Sequence, residues 1–502
     1  MLRNAASRAA GIVEMHSREI PWIEPVVVAE RLTGLPGLAF LDSALGHREL
    51  GRFSYVAAEP FARFTVRDGR ARLDGEVLEG APLAALKSVM ARYAVDGGAA
   101  TSGRVAAAGQ WGTVATGFTP WADRLPPFRG GAIGYVGYEF GAYLERLPAP
   151  TGRRRDCDDL WFGLYDVVAA FDHLDRRTFL ISTGMPETDP AVRARRATER
   201  LEELAARLAA PVPAPPPANP PIGGWRSNFT REAFCAAVER VRDYIRAGDI
   251  YQANIAQRFE APLPAGFSPW AFYRRLRAAN PATFAAYVDT GDLVIASSSP
   301  ERFVKLAGDR VEARPIKGTI RRSPDPDEDR RLADALLASA KDRAENVMIV
   351  DLLRNDLSRV CRPHSVEVPV LCGLETYAGV HHLVSAVRGR LREGLDATDL
   401  IAASFPGGSI TGAPKVRAME IIAELERDGR DVYCGSIGYL GFDGAMDLNI
   451  AIRTVVLDGE TAVLQAGGGI TLLSDPDSEY EETMTKAARV FDAFAAEPAE
   501  AR

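Results

Sequence analysis

Two distant segments share a glycine pattern, and this repeat constrains the fold more than any other feature. The first is GAIGYVGY at 131–138, and the second is GSIGYLGF at 435–442. Neither has the G-x-G-x-x-G order of a phosphate loop that opens a helix. Each is typical of a β-strand whose glycines let strands cross closely at a bend. The repeat therefore predicts an internal duplication, with large antiparallel-rich sheets and helices outside them, an α+β fold.

The 502 residues are enough for two domains or one large composite domain. Residues 211–224 read PVPAPPPANPPIGG and contain seven prolines. Because proline fixes φ and lacks an N–H group, we expect a stiff, extended linker at 210–224. This linker would separate an N-terminal region at 1–209 from a C-terminal domain at 225–495.

Composition excludes several classes of protein. The formal net charge is −7, with 47% hydrophobic and 25% charged residues, which favours neither a nucleic-acid nor an anionic-membrane partner. Five cysteines, odd in number and without C-x-x-C spacing, predict neither disulfides nor structural zinc. No apolar run approaches the ~18 residues of a membrane span, and the first 14 residues lack a secretory apolar segment. We expect a soluble, cytoplasmic enzyme.

Lys317 stands in RPIKGT at 314–319, with Arg314, Arg321 and Arg322 close in sequence. A free lysine has a pKa of about 10.4 and is a poor nucleophile at neutral pH. Partial burial and nearby positive charge would both lower that pKa. The segment therefore predicts a nucleophilic lysine in a tight turn. A surface lysine in a basic loop is the alternative.

Two predicted helices each carry carboxylates three residues apart, on one helix face. These are Asp342 and Glu345 in the first helix, and Glu479 and Glu482, followed by Lys486, in the second. We expect the first helix to begin at Ser323-Pro324. Two such faces brought together would repel unless a cation lay between them, and Mg²⁺ suits carboxylate oxygens best. Exposed acidic helix faces are the alternative for either motif alone.

Other segments could bind carboxylates. Gly467, Gly468 and Gly469 follow an apolar strand at 461–465, where exposed amides could receive an anion; a plain bend is the alternative. Arg453 should end a strand that begins at Asn449, as a bidentate clamp or as an edge arginine facing water. His381 and His382 should face opposite sides of a strand, which makes zinc improbable. Residues 405–415 could cradle a phosphate but lack the order of a nucleotide P-loop.

The order of these motifs resembles the chorismate-utilising enzymes, which include anthranilate, aminodeoxychorismate, isochorismate and salicylate synthases. The matching segments are SSSPERF (297–303), RPIKGT (314–319), AKDRAENVMIVDLLRND (340–356), HHLVS (381–385), FPGGSITGAPKVRAMEIIAELE (405–426), CGSIGYLGF (434–442), IAIRT (450–454), QAGGGI (465–470) and EYEET (479–483). They cover 225–490 almost continuously. Residues 41–60 and 130–141 match more loosely.

Within this family the chain resembles component I of the aminodeoxychorismate synthases most closely. Anthranilate synthases typically have alanine where this chain has Lys317, whereas the aminodeoxychorismate enzymes use that lysine as a covalent nucleophile. Isochorismate and salicylate synthases activate water with a lysine at the position of Gln252. A neutral glutamine cannot act as that base, which argues against water addition here.

The resemblance implies a set of roles. Glu345 and Glu482 would ligate Mg²⁺, and Asp342 and Glu479 would support it through water. The substrate carboxylates would meet Tyr439, Arg453, Gly467, Gly468, Gly469 and Lys486. Glu301 would protonate the departing C4 hydroxyl while Lys317 attacks C2. Gly318, Thr319 and His382 would line the pocket.

The resemblance also implies partners. No G-x-C-x-G elbow is present, so ammonia would come from a separate glutamine amidotransferase subunit or from free ammonium. Related enzymes bind tryptophan at a second site, for which the candidates here are Ser43, Arg52, Phe53 and Phe284. The expected reaction is amination of chorismate at C4 to 4-amino-4-deoxychorismate, for para-aminobenzoate and folate synthesis. The alternatives are anthranilate synthase component I and a catalytically silent, effector-binding partner subunit.

Overall fold

The computed structural model describes residues 15–46, 50–95, 125–211, 218–377 and 379–495. The described strands are β1 (His16–Ile20), β2 (Ala39–Asp42), β3 (Phe53–Ala57), β4 (Ala62–Arg67), β5 (Arg70–Leu73), β6 (Glu76–Val77), β7 (Gly131–Val136), β8 (Leu160–Tyr165), β9 (Val167–Asp172), β10 (Arg177–Ser182), β11 (Arg226–Ser227), β12 (Gln252–Pro262), β13 (Phe284–Asp289), β14 (Val294–Ser299), β15 (Arg302–Ala307), β16 (Arg310–Ala313), β17 (Ile316–Arg321), β18 (Glu367–Thr376), β19 (Val380–Arg390), β20 (Gly412–Ala413), β21 (Ser436–Gly441), β22 (Met446–Asn449), β23 (Thr454–Leu457) and β24 (Thr461–Ile470).

The described α-helices are α1 (Pro25–Arg31), α2 (Pro82–Arg92), α3 (Pro190–Ala209), α4 (Arg231–Ala247), α5 (Pro269–Ala279), α6 (Pro326–Ala338), α7 (Ala340–Ser358), α8 (Ala397–Ser404), α9 (Lys415–Glu426) and α10 (Pro476–Phe494).

The strands form two 12-stranded antiparallel sheets. The first has the order β1-β10-β9-β3-β2-β13-β14-β23-β24-β12-β11, with β20 also paired to β12. The second has the order β17-β19-β16-β15-β22-β21-β7-β8-β4-β5-β6, with β18 also paired to β19. Apolar clusters fill the space between the sheets, and further clusters lie under the helices on each outer face. The α+β prediction is confirmed.

The strand order also confirms the internal duplication. Outward from the middle of the first sheet, β2-β3-β9-β10-β1 on one side is matched by β13-β14-β23-β24-β12 on the other. In the second sheet, β7-β8-β4-β5-β6 is matched in the same way by β21-β22-β15-β16-β19. The two repeats therefore meet at the β2–β13 and β7–β21 pairs.

The two glycine segments lie at one of these junctions. Gly134 pairs directly with Gly438 across β7 and β21. A Cβ at Gly134 would lie 1.9 Å from the Trp161 carbonyl oxygen, and one at Gly438 would lie 2.0 Å from that of Asp447. Real Cβ atoms do not approach backbone this closely, so both positions require glycine, as close strand crossing predicts.

Residues 210–224 join two halves of one composite architecture, because both sheets combine strands from before and after this segment. Positions 212–217 of the predicted linker lie outside the described residues. After them, Asn219 exchanges two hydrogen bonds with the backbone of Ser268, at 2.7 and 2.8 Å. The described residues before and after this segment therefore contribute strands to both sheets.

The predicted helix start at Ser323-Pro324 is wrong. Helix α6 begins two residues later, because the side chain of Asp325 accepts bonds from two N–H groups of its first turn. The helix also does not continue to the acidic motif. Ser339 caps the separate helix α7 by accepting a bond from the N–H of Asp342. Asp342 and Glu345 consequently lie at the N-terminal end of α7.

Candidate active site

Six of the predicted site residues lie between β16 and β21, where the C-terminal repeat carries a long insertion: Lys317, Gly318, Thr319, Asp342, Glu345 and His382. This interval contains α6 to α9 and β17 to β20. In the corresponding interval of the N-terminal repeat, from β5 to β7, the described residues contain β6 and a single α-helix, α2. The insertion brings Lys317 and the first acidic motif towards α10, where the second acidic motif lies.

Lys317 lies in a bulge of β17. The pairing of β17 with β19 shifts register between Ile316 and Thr319, and Gly318 has φ +79. A bulge re-aims a side chain out of the regular alternation. The Nζ atom of Lys317 donates to the carbonyl oxygen of Ser409 at 3.1 Å.

Burial lowers the pKa of Lys317, and the positive charge of Lys486 adds to this. Glu345, Glu301 and Glu482 oppose the shift without reversing it. The sequence predicted that nearby arginines would help to lower the pKa of Lys317. In the structure Arg314 pairs with Glu375 and Arg322 with Asp329, so the positive charge that lowers this pKa comes from elsewhere. The proposed turn is a bulged strand, and the cation that acts on Lys317 comes from α10.

Glu301 lies in the bend between β14 and β15, and 7% of it is exposed. Burial raises the pKa of Glu301. Lys317, the hydroxyl of Ser409 and the amide of Ile316 each lower it in part. Glu301 is thus shifted towards the protonated acid while Lys317 is shifted towards the free amine, which is the pairing that acid-assisted nucleophilic attack requires.

The four predicted metal-binding carboxylates occupy the N-terminal ends of α7 and α10. Burial and the charges of Asp342 and Glu479 raise the pKa of Glu345. Burial also raises the pKa of Glu479, whose carboxylate lies 3.7 Å from the Nζ atom of Lys341. The two acidic helix ends therefore act on each other electrostatically, as their predicted approach requires.

Glu482 differs, because a lysine neutralises it. Its carboxylate lies 2.7 Å from the Nζ atom of Lys486. Burial alone would raise the pKa of Glu482, but Lys486 and Lys341 outweigh it and the pKa is lowered.

Among the described residues, no three His, Cys, Asp or Glu side chains are grouped closely enough to hold a metal ion. The donor set nevertheless suits Mg²⁺, since it consists of carboxylate oxygens on two neighbouring helix ends. Repulsion between Glu345 and Glu479 is what a divalent cation would relieve.

The prediction of a glycine loop at 467–469 is wrong, because these residues lie inside β24 and pair with β12. A Cβ at Gly467 would lie 2.4 Å from the Ile255 carbonyl oxygen, so the strands approach too closely for a larger residue. A Cβ at Gly468 would point at Glu479, 3.2 Å from its Oε2 atom. The glycines form a flat wall against which the side chains of α10 lie.

Lys486 contacts that wall directly, donating to the carbonyl oxygen of Gly467 at 2.9 Å. A Cβ at Gly469 would lie 2.3 Å from the Nε2 atom of Gln252. Gln252 is fully buried, and neither polar atom of its side chain has a hydrogen-bond partner among the described residues.

Arg453 does not end a strand that begins at Asn449. Strand β22 ends at Asn449, and Arg453 lies with φ +51 in the connection that carries the chain from the second sheet to the first. Burial and the charge of Arg489 lower the pKa of Arg453, and the charge of Glu301 opposes this shift. A half-buried guanidinium beside the general-acid candidate keeps the capacity to bind a carboxylate.

Thr319 and His382 come together as expected, with 2.8 Å between Oγ1 and Nδ1. Burial lowers the pKa of His382 to about 4, so its imidazole is neutral at neutral pH. His381 contacts Asp329 and Thr376 instead, which confirms that the two histidines face opposite ways.

Tyr439 is not brought to this group. Its ring is buried in the core between the sheets, 4.7 Å from the ring of Phe128 and 5.6 Å from that of Tyr55. Ile437, two residues earlier on the same face of β21, also faces a core cluster. We therefore assign Tyr439 to the core rather than to the carboxylate-binding set.

The four candidate effector residues lie on neighbouring parts of the first sheet. The hydroxyl of Ser43 donates to the Phe53 carbonyl oxygen at 2.6 Å, and Phe284 begins the strand that pairs with β2. The guanidinium of Arg52 lies 5.0 Å from the centre of the Phe53 ring and also pairs with Asp172 at 2.6 Å. Binding of tryptophan at this place stays a prediction.

Comparison with known proteins gives the site its family context. Residues 52–492 match the sequence profile of a family described as chorismate binding enzyme. The chain belongs to this family.

Several relatives in the chorismate binding enzyme family align over most of the chain. Aminodeoxychorismate synthase component 1 of Escherichia coli is 38% identical over 92% of this chain and 94% of that protein. The protein of the same name from Salmonella typhimurium is 44% identical over 74% and 78%. Anthranilate synthase component 1 of Streptomyces coelicolor is 38% identical over 96% and 89%. Both activities therefore occur among close relatives.

Solved structures agree with the fold. Anthranilate synthase component I from Streptococcus pneumoniae is 33% identical, has a TM-score of 0.73, and is matched over 89% of this chain and 94% of that one. A menaquinone-specific isochorismate synthase from Escherichia coli, 17% identical with a TM-score of 0.68, shares the fold. Within the described residues, no helix is both long and apolar enough to cross a membrane.

Sequence reasoning missed Ser409 as a residue of the site. Its carbonyl oxygen accepts a hydrogen bond from Lys317, and its hydroxyl lowers the pKa of Glu301 in part, so it acts on both candidate catalytic side chains. The sequence suggested segment 405–415 only as a phosphate cradle, which gave no signal for this role.

Proposed function

We propose that this chain aminates chorismate at C4 and releases 4-amino-4-deoxychorismate. The observation that carries the proposal is the buried pair of Lys317 and Glu301, which act on each other electrostatically and whose pKa values move in the directions that a nucleophile and an acid need. Lys317 is held in place by its hydrogen bond to the Ser409 carbonyl oxygen. Relatives named aminodeoxychorismate synthase component 1 support it, at 38–44% identity.

In the first step the free amine of Lys317 attacks C2 of the ring. The new C2–N bond forms as the two conjugated ring double bonds shift and the C4–O bond breaks. Glu301 gives its proton to the departing hydroxyl, which leaves as water. The raised pKa of Glu301 keeps that proton available, and the lowered pKa of Lys317 leaves a lone pair for attack.

In the second step ammonia adds at C4. The C4–N bond forms, the two ring double bonds shift back, and the C2–N bond to Lys317 breaks. The proton that ammonia loses restores the acid form of Glu301. Because Gln252 is neutral at every pH of interest, the site offers no basic residue at that position to activate water instead.

Two kinds of side chain would bind the anionic substrate: cations that meet its carboxylates directly, and carboxylates that hold a metal ion. Arg453 and Lys486 would meet its carboxylates, with Lys486 already on the glycine wall through Gly467. Glu345 and Glu482 would hold Mg²⁺ directly, and Asp342 and Glu479 would support it through water. The bound ion would neutralise the ring carboxylate of chorismate.

Ammonia would come from a separate glutamine amidotransferase subunit, and the product would enter para-aminobenzoate and folate synthesis. The name component 1 of the relatives supports a second component. Alone, the chain should use ammonium and not glutamine. Glutamine-dependent amination by the pure chain would contradict this division of labour.

The test is covalent capture. With chorismate and MgCl₂ but without ammonium, intact mass measurement should show an adduct that maps to the peptide of Lys317. Lys317→Ala should lose the adduct, while Lys341→Ala, a matched change at an exposed lysine beside the same carboxylates, should keep it. An adduct on another residue would overturn the nucleophile assignment.

A second candidate function is anthranilate synthase, which the Streptomyces coelicolor relative favours. The presence of Lys317 argues against it, because the resembling anthranilate synthases have alanine there. Identification of the product formed with ammonium separates the two. A silent, effector-binding subunit would give neither product.

A further inference from the structure

Arg430 is a buried guanidinium that joins two walls of the candidate site. Its side chain is 1% exposed and donates to the carbonyl oxygens of Ile410 and Asn254, each at 2.9 Å. Two further bonds, at 2.7 and 2.9 Å, go to the carboxylate of Glu426. The planar fork of an arginine has five N–H donors, so one side chain can fix two backbone carbonyls and an ion pair at once.

The first of these carbonyls is one residue from Ser409. Ser409 receives the hydrogen bond of Lys317 on its carbonyl oxygen, at 3.1 Å, and its hydroxyl lowers the pKa of Glu301 in part. A movement of Ile410 would therefore disturb the bond to Lys317 and the influence on Glu301 together. By holding the Ile410 carbonyl, Arg430 fixes the backbone that connects the nucleophile to the acid.

The second carbonyl, that of Asn254, belongs to β12, the strand that pairs with the glycines of β24. Asn254 pairs with Gly469, and Ala256 pairs with Gly467. Glu426, the partner of Arg430, also accepts the N–H of Ala256 at 2.8 Å. The Arg430–Glu426 pair thus holds the wall and the Ser409 segment in one relative position.

The N-terminal repeat completes the surroundings of Arg430. The carboxylate of Glu139 accepts the backbone N–H groups of Arg430 and Asp431, at 2.7 and 2.8 Å. The ring of Tyr138 lies 4.7 Å from the guanidinium carbon. The N-terminal repeat, which carries no catalytic candidates, therefore helps to hold Arg430 of the C-terminal repeat in place.

We infer that Arg430 is a positioning residue, which holds Ser409 where it orients Lys317 and Glu301 and which does not itself touch the substrate. The inference rests on the proposed roles of those two side chains. It assigns a function in catalysis to an ion pair that stability alone would otherwise explain.

The test compares Arg430→Lys with Arg258→Lys. Arg258 is a matched control, since it is also buried, lies in β12, and bonds Asp431 and Glu260. An ammonium group cannot reach both carbonyls and Glu426 as the fork does. We expect kcat to fall about 30-fold or more in Arg430→Lys, with KM for chorismate within about threefold. In Arg258→Lys, kcat should stay within about threefold, although both variants lose thermal stability.

A pH profile separates positioning from stability. The hydroxyl of Ser409 lowers the pKa of Glu301 in part, so a displaced Ser409 should move the limb of the kcat profile that reports Glu301 to higher pH in Arg430→Lys. Arg258→Lys should keep the wild-type limb. An equal loss of kcat in both variants, or an unmoved limb in Arg430→Lys, would overturn the inference.

If Arg430→Lys does not fold, Glu426→Gln takes its place, because it keeps an acceptor for the Ala256 N–H but loses the charge that anchors Arg430. Its kcat should fall about tenfold or more relative to Arg258→Lys, and a kcat equal to that of the control would refute the positioning role. The comparison uses whichever aminated product the wild type forms. A failure of the proposed reaction would instead appear in the wild type, as a different product or as no adduct on Lys317.

Discussion

The two repeats build the same strand order, yet they carry opposite charges at corresponding places. Helices α3 and α10 each follow the last strand of a repeat, and each begins with an aspartate cap and a proline. Six residues after the proline, α3 has Arg196 and α10 has Glu482.

In α3 the charges are closed into a local ion cluster. Arg196 and Arg200 lie 3.4 and 3.5 Å from the same carboxylate, that of Asp166, whose side chain is 1% exposed. In α10 the acids face further acids on α7, and exposed or half-buried lysines balance them only in part. A duplicated scaffold therefore gives a stable ion cluster where one carboxylate meets two cations, and a candidate metal site where several carboxylates meet each other.

The first prediction has the largest expected effect. Glu345→Gln and Glu482→Gln should each lower turnover by about 10³-fold, equivalent to about 4 kcal/mol, because each removes a proposed ligand and leaves the substrate carboxylate poorly neutralised. Steady-state rates across a Mg²⁺ titration measure this. Asp351→Asn and Glu481→Gln, on the exposed faces of the same two helices, should leave turnover unchanged. Near-normal activity at low Mg²⁺ in either ligand variant would contradict the metal assignment.

The second prediction concerns the junction of the two repeats, to which each contributes one glycine. Gly134→Ala and Gly438→Ala should each destabilise the protein by about 3 kcal/mol or more, since each new Cβ would meet a backbone oxygen at 2.0 Å or less. Denaturant unfolding measures the change. Gly223→Ala is the control, because no atom lies within 4 Å of its Cβ. A large effect in one repeat and a loss below about 1 kcal/mol in the other would show that the junction is not symmetric.

The glycine pair shows what sequence could predict. Gly134 and Gly438 stand in two similar segments, and their close crossing follows from the absence of a Cβ, so the duplication was readable without coordinates. The acidic motifs could also be predicted from the sequence, because helical spacing places Asp342 and Glu345 on one face of the same helix.

The remaining features depend on contacts between distant segments. Gly467 to Gly469 have the composition of a loop, but their pairing with β12 decides their structure. Arg314 is near Lys317 in sequence and pairs with Glu375, whereas Lys486, far away in sequence, supplies the positive charge. Ser409 gives no local signal, since its role comes from where Lys317 and Glu301 meet it.

The third prediction concerns pH and the inserted segment of the C-terminal repeat. Attack requires Lys317 as the free amine and Glu301 as the protonated acid, so the rate of adduct formation should rise and then fall with pH. Burial lowers the pKa of Lys317 and raises that of Glu301, so both limbs should lie above the usual carboxyl range and below the ordinary lysine value of about 10.4. Rates of adduct formation by quenched-flow mass measurement test both limbs. A single rise centred near pH 10.4 would contradict the effect of burial on Lys317.

The fourth prediction has the smallest effect on activity and tests the N-terminal side of the comparison. Arg196→Gln changes the residue that corresponds in position to Glu482, but Arg200 still pairs with Asp166. Turnover should therefore stay within about twofold, while stability falls by about 1–2 kcal/mol, because a buried carboxylate loses one of its two cations. Parallel measurements of turnover and denaturant unfolding separate these effects. If Arg196→Gln lowered turnover tenfold without loss of stability, α3 would take part in catalysis, and the division of the repeats into a supporting and a catalytic one would be wrong.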